Sequence, residues 1–247
     1  MKLHYDLHLH SCLSPCGDMD MTPNNLVHMS MLNGIQMIAL TDHNCCKNCR
    51  AAVEVGKEAG IVVVPGMEVC TSEEAHVVCL FPTVEAAEEF GAYVEKHSPL
   101  LSNRPEIFGE QVILNAQDEE IGREGRLLIG AADISASHVV DLVRQYGGGA
   151  FPAHIDKDSY SLLSSLGAIP PEAGFHAAEI TARGNVEELK RQHPALSGMI
   201  LLQNSDAHYL EHMPQAGPWI DLPDPTAECL IQAIRGEITP PWGRADT

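Results

Sequence analysis

Residues 37–68 read MIALTDHNCCKNCRAAVEVGKEAGIVVVPGME. Met37 to Leu40 and Ile61 to Val64 are short, continuous apolar runs, the pattern of strands buried on both faces. Between them, Ala51 to Ala59 reads as a helix stopped by Gly60. Strand, helix, strand with unbroken apolar strands calls for a parallel sheet of βα units. Each run also ends in groups able to bind cations. Thr41-Asp42-His43-Asn44 follows the first, and Pro65-Gly66-Met67-Glu68 follows the second.

The same grammar extends in both directions. Leu3 to His10 alternates and reads as a strand, and Thr22-Pro23 opens a helix that Gly34 closes. Further strands are expected at Val77–Phe81, Ala150–His154, Ala177–Thr181 and Met199–Gln203. Helices are expected at Val84–Lys96, Ser135–Tyr146, Val186–Gln192 and Thr226–Arg235. Residues 98 to 133 are less regular, with two short strands expected at Gln111–Leu114 and Arg126–Ile129 around Asp118-Glu119-Glu120. With 247 residues, 45% of them apolar, one large core is expected rather than two. The reading is a single α/β barrel domain, 1–247, with 98–133 as an irregular insertion.

Composition narrows the function. The formal net charge is −19, from 34 acidic and 15 basic residues. Such a chain lacks a broad basic surface, so duplex nucleic acid is not expected as a partner. A small phosphorylated substrate, or a short oligonucleotide end entering a metal-lined cleft, remains compatible. No run of about 18 apolar residues occurs, so no membrane span is expected. The opening MKLHYDLHLH is polar and strand-like, without the apolar core of a secretory signal, and a cytoplasmic protein with reduced thiols is expected. Histidine stands out at 13 residues, against 5 Tyr, 5 Phe and 2 Trp.

Those histidines recur at strand ends. His8 and His10 end the first strand, His43 the second, His154 a later one, and Asp206 and His208 the last; Glu68 follows the third. His76 opens its strand, which fits if that strand runs against its neighbours. In parallel barrels the loops at the carboxyl ends converge on one site. Residues i and i+2 of a strand face one side, so His8-x-His10 can grip one ion, as can Asp206-x-His208. Imidazole suits zinc, iron or manganese, and a carboxylate can bridge two ions. Paired divalent ions activate water and clamp the oxygens of a phosphoryl transfer. An isolated H-x-H is often incidental; the joint pattern is not.

The ordered set D-L-H-L-H, T-D-H-N, P-G-M-E-V, E-A-H-V-V, P-A-H-I-D and N-S-D-A-H resembles the PHP (polymerase and histidinol phosphatase) superfamily from Leu3 to His208. The resemblance implies a distorted (β/α)7 TIM-like barrel and two or three divalent ions. It implies that His8, His10, Glu68 and Asp206 hold a first ion. Glu68 would bridge to a second, held also by His76 and His154. His43 and His208 would hold a third with an acid from the loop after the first strand. Many members carry S-D-G there; this chain has Ser14-Pro15-Cys16-Gly17-Asp18-Met19-Asp20, leaving Asp18 and Asp20 as alternatives, with Asp20 slightly preferred. The implied activity is hydrolysis of a phosphate ester, with His8, His10, Glu68, His154 and Asp206 at its centre.

Lys157, Ser159 and Arg183 follow strand ends in a chain poor in cations, and are candidate substrate contacts. Cys12, Cys16, Cys45, Cys46 and Cys49 fall in two rim loops, where they read either as buried small side chains or as a thiol site. A metal-dependent C–N hydrolase is the alternative activity, and a non-catalytic metal-binding regulatory domain a further one. Loss of phosphate hydrolysis on removing Lys157 and Arg183 separates the first pair.

Overall fold

A computed structural model of the chain describes residues 1–215 and 217–243. Its elements in order are β1 (Lys2–Leu9), α1 (Pro23–Leu32), β2 (Met37–Leu40), α2 (Cys49–Ala59), β3 (Val62–Cys70), β4 (His76–Leu80) and α3 (Val84–His97). Then come α4 (Pro105–Phe108), β5 (Val112–Leu114), β6 (Glu120–Arg123), α5 (Val139–Gln145), β7 (Gly149–Pro152), α6 (Leu162–Leu166), β8 (Ala177–Ile180) and α7 (Val186–Gln192). The last are β9 (Ile200–Gln203), β10 (Trp219–Asp221), α8 (Ala227–Ile234) and β11 (Trp242–Gly243).

Strands β1, β2, β3, β4 and β7 curl side by side, and β8 and β9 form a parallel pair. Two contacts close the ring. The Ile155 N–H after β7 donates to Glu179 O of β8 at 2.9 Å, and the His10 N–H donates to Ala207 O just past β9 at 3.1 Å. The result is a distorted seven-stranded α/β barrel. Inside it, Leu3, Tyr5, Leu7, Met37, Ala39, Val64, Val78, Leu80 and Phe151 form a buried core, floored by Ile220 of β10 and by Leu230, Ile231 and Ile234 of α8. A second core lies between the outer sheet faces and the helices, where Leu26, Val55, Phe90 and Val143 contribute. Interior and exterior are thus both apolar, which is why the strands read as unbroken runs.

The parallel sheet is interrupted at β4, which is antiparallel to both β3 and β7, the arrangement that His76 at the start of its strand required. Only residues 71–75 separate β3 from β4, far too few for a crossover, so the chain must turn back as a hairpin. β3 is also longer than its apolar run suggested and carries Glu68 within the strand, paired opposite Val78. In the insertion, β5 pairs with Glu120–Arg123 rather than Arg126–Ile129. Asn115 sets that register: its side-chain oxygen accepts the N–H groups of Gln117 and Glu119, making a tight turn. The helix expected from Ser135 begins at Val139, because the Ser135 hydroxyl and the Ala136 N–H are both held by the Glu73 carboxylate.

One irregularity positions the site. Between the pairs Asp6–Ile38 and Leu9–Leu40, β1 advances three residues while β2 advances two. That bulge inverts the alternation. Leu3, Tyr5 and Leu7 face the barrel interior, whereas Leu9 joins the outer core, and His8 and His10 turn into the mouth.

Among the described residues no helix is long and apolar enough to cross a membrane. Phe151 is fully buried inside the barrel and Leu100 is 88% exposed on the insertion. Phe151→Ala is expected to cost about 3–5 kcal/mol in urea unfolding. Leu100→Ala is expected to stay within about 0.5 kcal/mol.

Candidate metal centre

Glu68 is the hub of the mouth. It is fully buried, and five imidazoles surround its two oxygens. Oε1 lies 2.9 Å from His76 Nδ1 and 3.2 Å from both His8 Nε2 and His154 Nε2. Oε2 lies 3.0 Å from His43 Nδ1 and 3.4 Å from His10 Nε2. Asp206 Oδ1 adds a second carboxylate, 3.2 Å from His10 Nε2 and 3.5 Å from His8 Nε2. The reversed β4 puts His76 beside Cys70, at the rim where β3 ends.

Buried polar groups behind the ring fix which nitrogen each imidazole offers. His8 Nδ1 lies 2.9 Å from Glu179 Oε2, so it carries the proton and leaves Nε2 free. His10 Nδ1 donates to Ser14 Oγ at 2.9 Å, and Ser14 in turn donates to Asp42 Oδ1 at 2.7 Å. His208 Nδ1 donates to the Asp206 carbonyl at 2.9 Å. Asp42 also holds the Ser11 N–H and hydroxyl, and Asp6 holds the Ser205 N–H and hydroxyl. Burial pushes the Asp6 carboxyl up to about 7, against the pull of those Ser205 hydrogen bonds.

The donor set fits divalent cations. His8 Nε2 and His10 Nε2 face each other at 3.2 Å, both with their other nitrogen already protonated. Two lone pairs at that distance need a cation or proton between them. The close approach of His43 Nδ1 to Glu68 Oε2 is not aligned as a hydrogen bond, so these two atoms, like His154 Nδ1, are buried without a hydrogen-bond partner among the described residues. Three clusters present donor atoms within 4.8 Å of one another: His8, His10 and Glu68; His43, Glu68 and His76; and His10, His43 and His208. Burial would raise the Glu68 carboxyl, but His76, His8 and His43 hold it well below the usual range. Burial pushes His208 down to about 3, with His10 adding to the effect, so its imidazole is neutral, the form that ligates metal.

His8, His10, His43, Glu68, His76, His154, Asp206 and His208 therefore converge on one mouth. The loop acids do not join them. Asp18 N–H donates to His208 O at 2.9 Å, but Asp18 Oδ1 accepts the Asp20 N–H, and Asp20 is exposed. Lys157 reaches in from the side and pairs with Asp206 Oδ2. Lys157 and Ser159 line the mouth; Arg183 lines an adjoining hollow with Lys157, Thr181 and Asn204. The rim cysteines split up: Cys12 packs on Val112, Cys45 on Leu13 and Leu128, and Cys46 and Cys49 in the outer core. Burial pushes the Cys12 and Cys45 thiols up to about 12, which argues against a thiolate site.

Glu179 escaped the sequence reading, though an acid inside the apolar run Ala177-Ala178-Glu179-Ile180 was the available signal. It binds His8 Nδ1, the His154 N–H at 3.1 Å and Asn204 Nδ2 at 2.8 Å. The backbone is also forced here: His154 and Asp206 sit at φ 28° and 53°, in the left-handed region that side chains disfavour. The insertion contributes a wall, since Asn44 Nδ2 clasps Leu128 O and Gly130 O and Ile129 lines the mouth.

The PHP domain family matches residues 6–146. A 5′–3′ exoribonuclease of Haemophilus influenzae is 27% identical over 192 residues, covering 72% of this chain and 66% of that protein. The lesion-specific endonuclease Q of Pyrococcus furiosus has the same fold, with TM-score 0.73 and 18% identity over 98% of this chain and 58% of that one. Endonuclease Q complexed with a 27-mer duplex bearing an abasic lesion at the active site gives TM-score 0.72 and 18% identity, covering 97% and 58%. The chain thus spans less than two thirds of the length of each of these relatives. That duplex complex overturns the expectation, drawn from net charge, that duplex nucleic acid is excluded. Net charge sums the whole chain, whereas a nucleic acid responds to the local field at the mouth, which bound cations would reverse.

Glu179→Gln keeps the side-chain volume but removes the charge behind His8. It is expected to weaken binding of the ion nearest His8 by about 10- to 100-fold, read by chelator competition with zinc or manganese.

Proposed function

The chain belongs to the PHP domain family, and on that premise we propose that it is a metal-dependent hydrolase of nucleic-acid phosphodiester bonds. The single observation that carries this reading is Glu68, buried at the centre of five imidazoles on the strand ends of the barrel. The choice of nucleic acid is supported by the exoribonuclease relative and by the shared fold with endonuclease Q.

In this reading His8, His10, Glu68 and Asp206 hold one divalent ion. Glu68, His76 and His154 hold a second. His43, His10 and His208 frame a third position. Bound zinc, manganese or iron would supply the Lewis acidity that polarises the phosphoryl group and acidifies water. The protein does the rest. Glu179, Ser14 and the Asp206 carbonyl keep Nε2 of His8, His10 and His208 aimed inward. Lys157 Nζ, beside Asp206 at the rim, binds a non-bridging phosphate oxygen and offsets the charge that grows there. Arg183, one hollow away, holds a neighbouring phosphate of the same strand. Ser159 donates to the substrate from the Lys157 loop.

The test is a panel of RNA and DNA, single-stranded and duplex, assayed with metal-stripped protein refilled with zinc, manganese or iron. Phosphodiester cleavage is expected with at least one ion and is lost on chelation. Glu68→Gln is expected to lower turnover by more than about 100-fold. Lys157→Ala is expected to raise KM more than it lowers kcat. No cleavage of any nucleic acid under any ion would refute the reading.

A further inference from the structure

Tyr160 stands at the edge of the mouth and takes no part in the ligand set. Its ring stacks on the His76 imidazole, with centroids 4.9 Å apart and planes inclined by 27°. It is nevertheless 52% exposed, in a chain with only 5 tyrosines, and it lines the same mouth as Glu68, His154 and Lys157. One face of the ring is covered by His76, so the exposure falls on the other.

The backbone holds the ring there at a cost. Tyr160 has φ 54°, a conformation that bulky side chains disfavour. It is pinned from several directions. Tyr160 O accepts the His76 N–H at 2.9 Å, and the Ser161 hydroxyl donates to Lys157 O at 2.7 Å. Earlier in the loop, Asp156 is held by the Thr181 N–H and hydroxyl at 2.8 and 2.6 Å. A rigid aromatic face loses little conformational freedom when a ligand stacks on it. A strained residue kept open to solvent beside a reacting centre points to use in binding.

We propose that Tyr160 is a stacking platform for the nucleobase of the nucleotide whose phosphate enters the metal mouth. The inference rests on the nucleic-acid reading above and deepens it. The two recognition elements lie on one short loop: Lys157 for the phosphate and Tyr160, three residues on, for the base. Stacking of this kind is sequence-tolerant, since every base has a π face. Tyr160 therefore sets a requirement for a base rather than a choice among bases.

The test separates base from phosphate by equilibrium binding, with zinc- or manganese-loaded protein and two probes, adenosine monophosphate and ribose 5-phosphate. Wild-type protein is expected to bind the nucleotide at least about 10-fold more tightly. Tyr160→Leu, which still covers His76 but lacks a π face, is expected to bring that ratio close to one. Tyr160→Phe is expected to restore it. Equal affinity of wild type for the two probes overturns the proposal. So does an equal loss for both probes in Tyr160→Leu, which would make Tyr160 only a support for His76. Because binding is measured apart from turnover, absence of nucleic-acid cleavage counts against the activity, while a flat binding ratio counts against the platform.

Discussion

A carboxylate cannot sit fully buried in an apolar barrel without compensation. Glu68 does so because imidazoles from β1, the loop after β2, β4 and the end of β7 all reach it. That one requirement explains much of the architecture above the barrel floor. The hairpin reversal at β4 delivers His76. The bulge in β1 delivers His8 and His10. The left-handed backbone at His154 and Asp206 turns their side chains inward. Each is a departure from regular geometry, and each lies where a donor must reach the same small volume.

Behind the inner ring stands a second layer of acids with a different task. Asp6, Asp42 and Glu179 are buried and face hydroxyls, backbone N–H groups and imidazole Nδ1 atoms. They fix tautomers and join segments far apart in sequence: Asp6 ties β1 to the loop after β9, and Glu179 ties β8 to β1 and β7. The acidity of the chain therefore has a local meaning at this end of the barrel. Buried carboxylates orient the His8 and His10 imidazoles so that Nε2 of each faces the mouth, where a cation can be held. A formal charge of −19 summed over the whole sequence does not report that arrangement, which is why it is a poor guide to what the mouth can bind.

The insertion is part of the mouth. Asn48 bridges Ser11 Oγ, Val112 O and the Leu114 N–H, and Asn44 clasps Leu128 O and Gly130 O while its own side-chain oxygen accepts the Cys70 N–H. These two asparagines flank the cysteine-rich loop after β2, whose thiols serve mainly as packing. The irregular segment is thereby fastened to the loops that carry His10 and His43, and Ile129 closes one side of the opening.

Sequence alone determined the barrel class, the strands that begin or end in His8, His10, His43, His76, His154, Asp206 and His208, and the meeting of those ends at one mouth. It could do so because strands buried on both faces leave continuous apolar runs, and polar residues at their tips then stand out. It could not determine the direction of β4, the bulge in β1 or the turn that re-registers β5 with β6, because each follows from local hydrogen bonds and turn lengths rather than hydrophobic pattern. Only the tertiary structure decided that Glu179 stands behind His8, that Asp18 and Asp20 stay outside the ring of imidazoles, and that Tyr160 lies against His76. Those are contacts between residues distant in the chain or brought close by a strained turn, and neither periodicity nor composition encodes the distance between them.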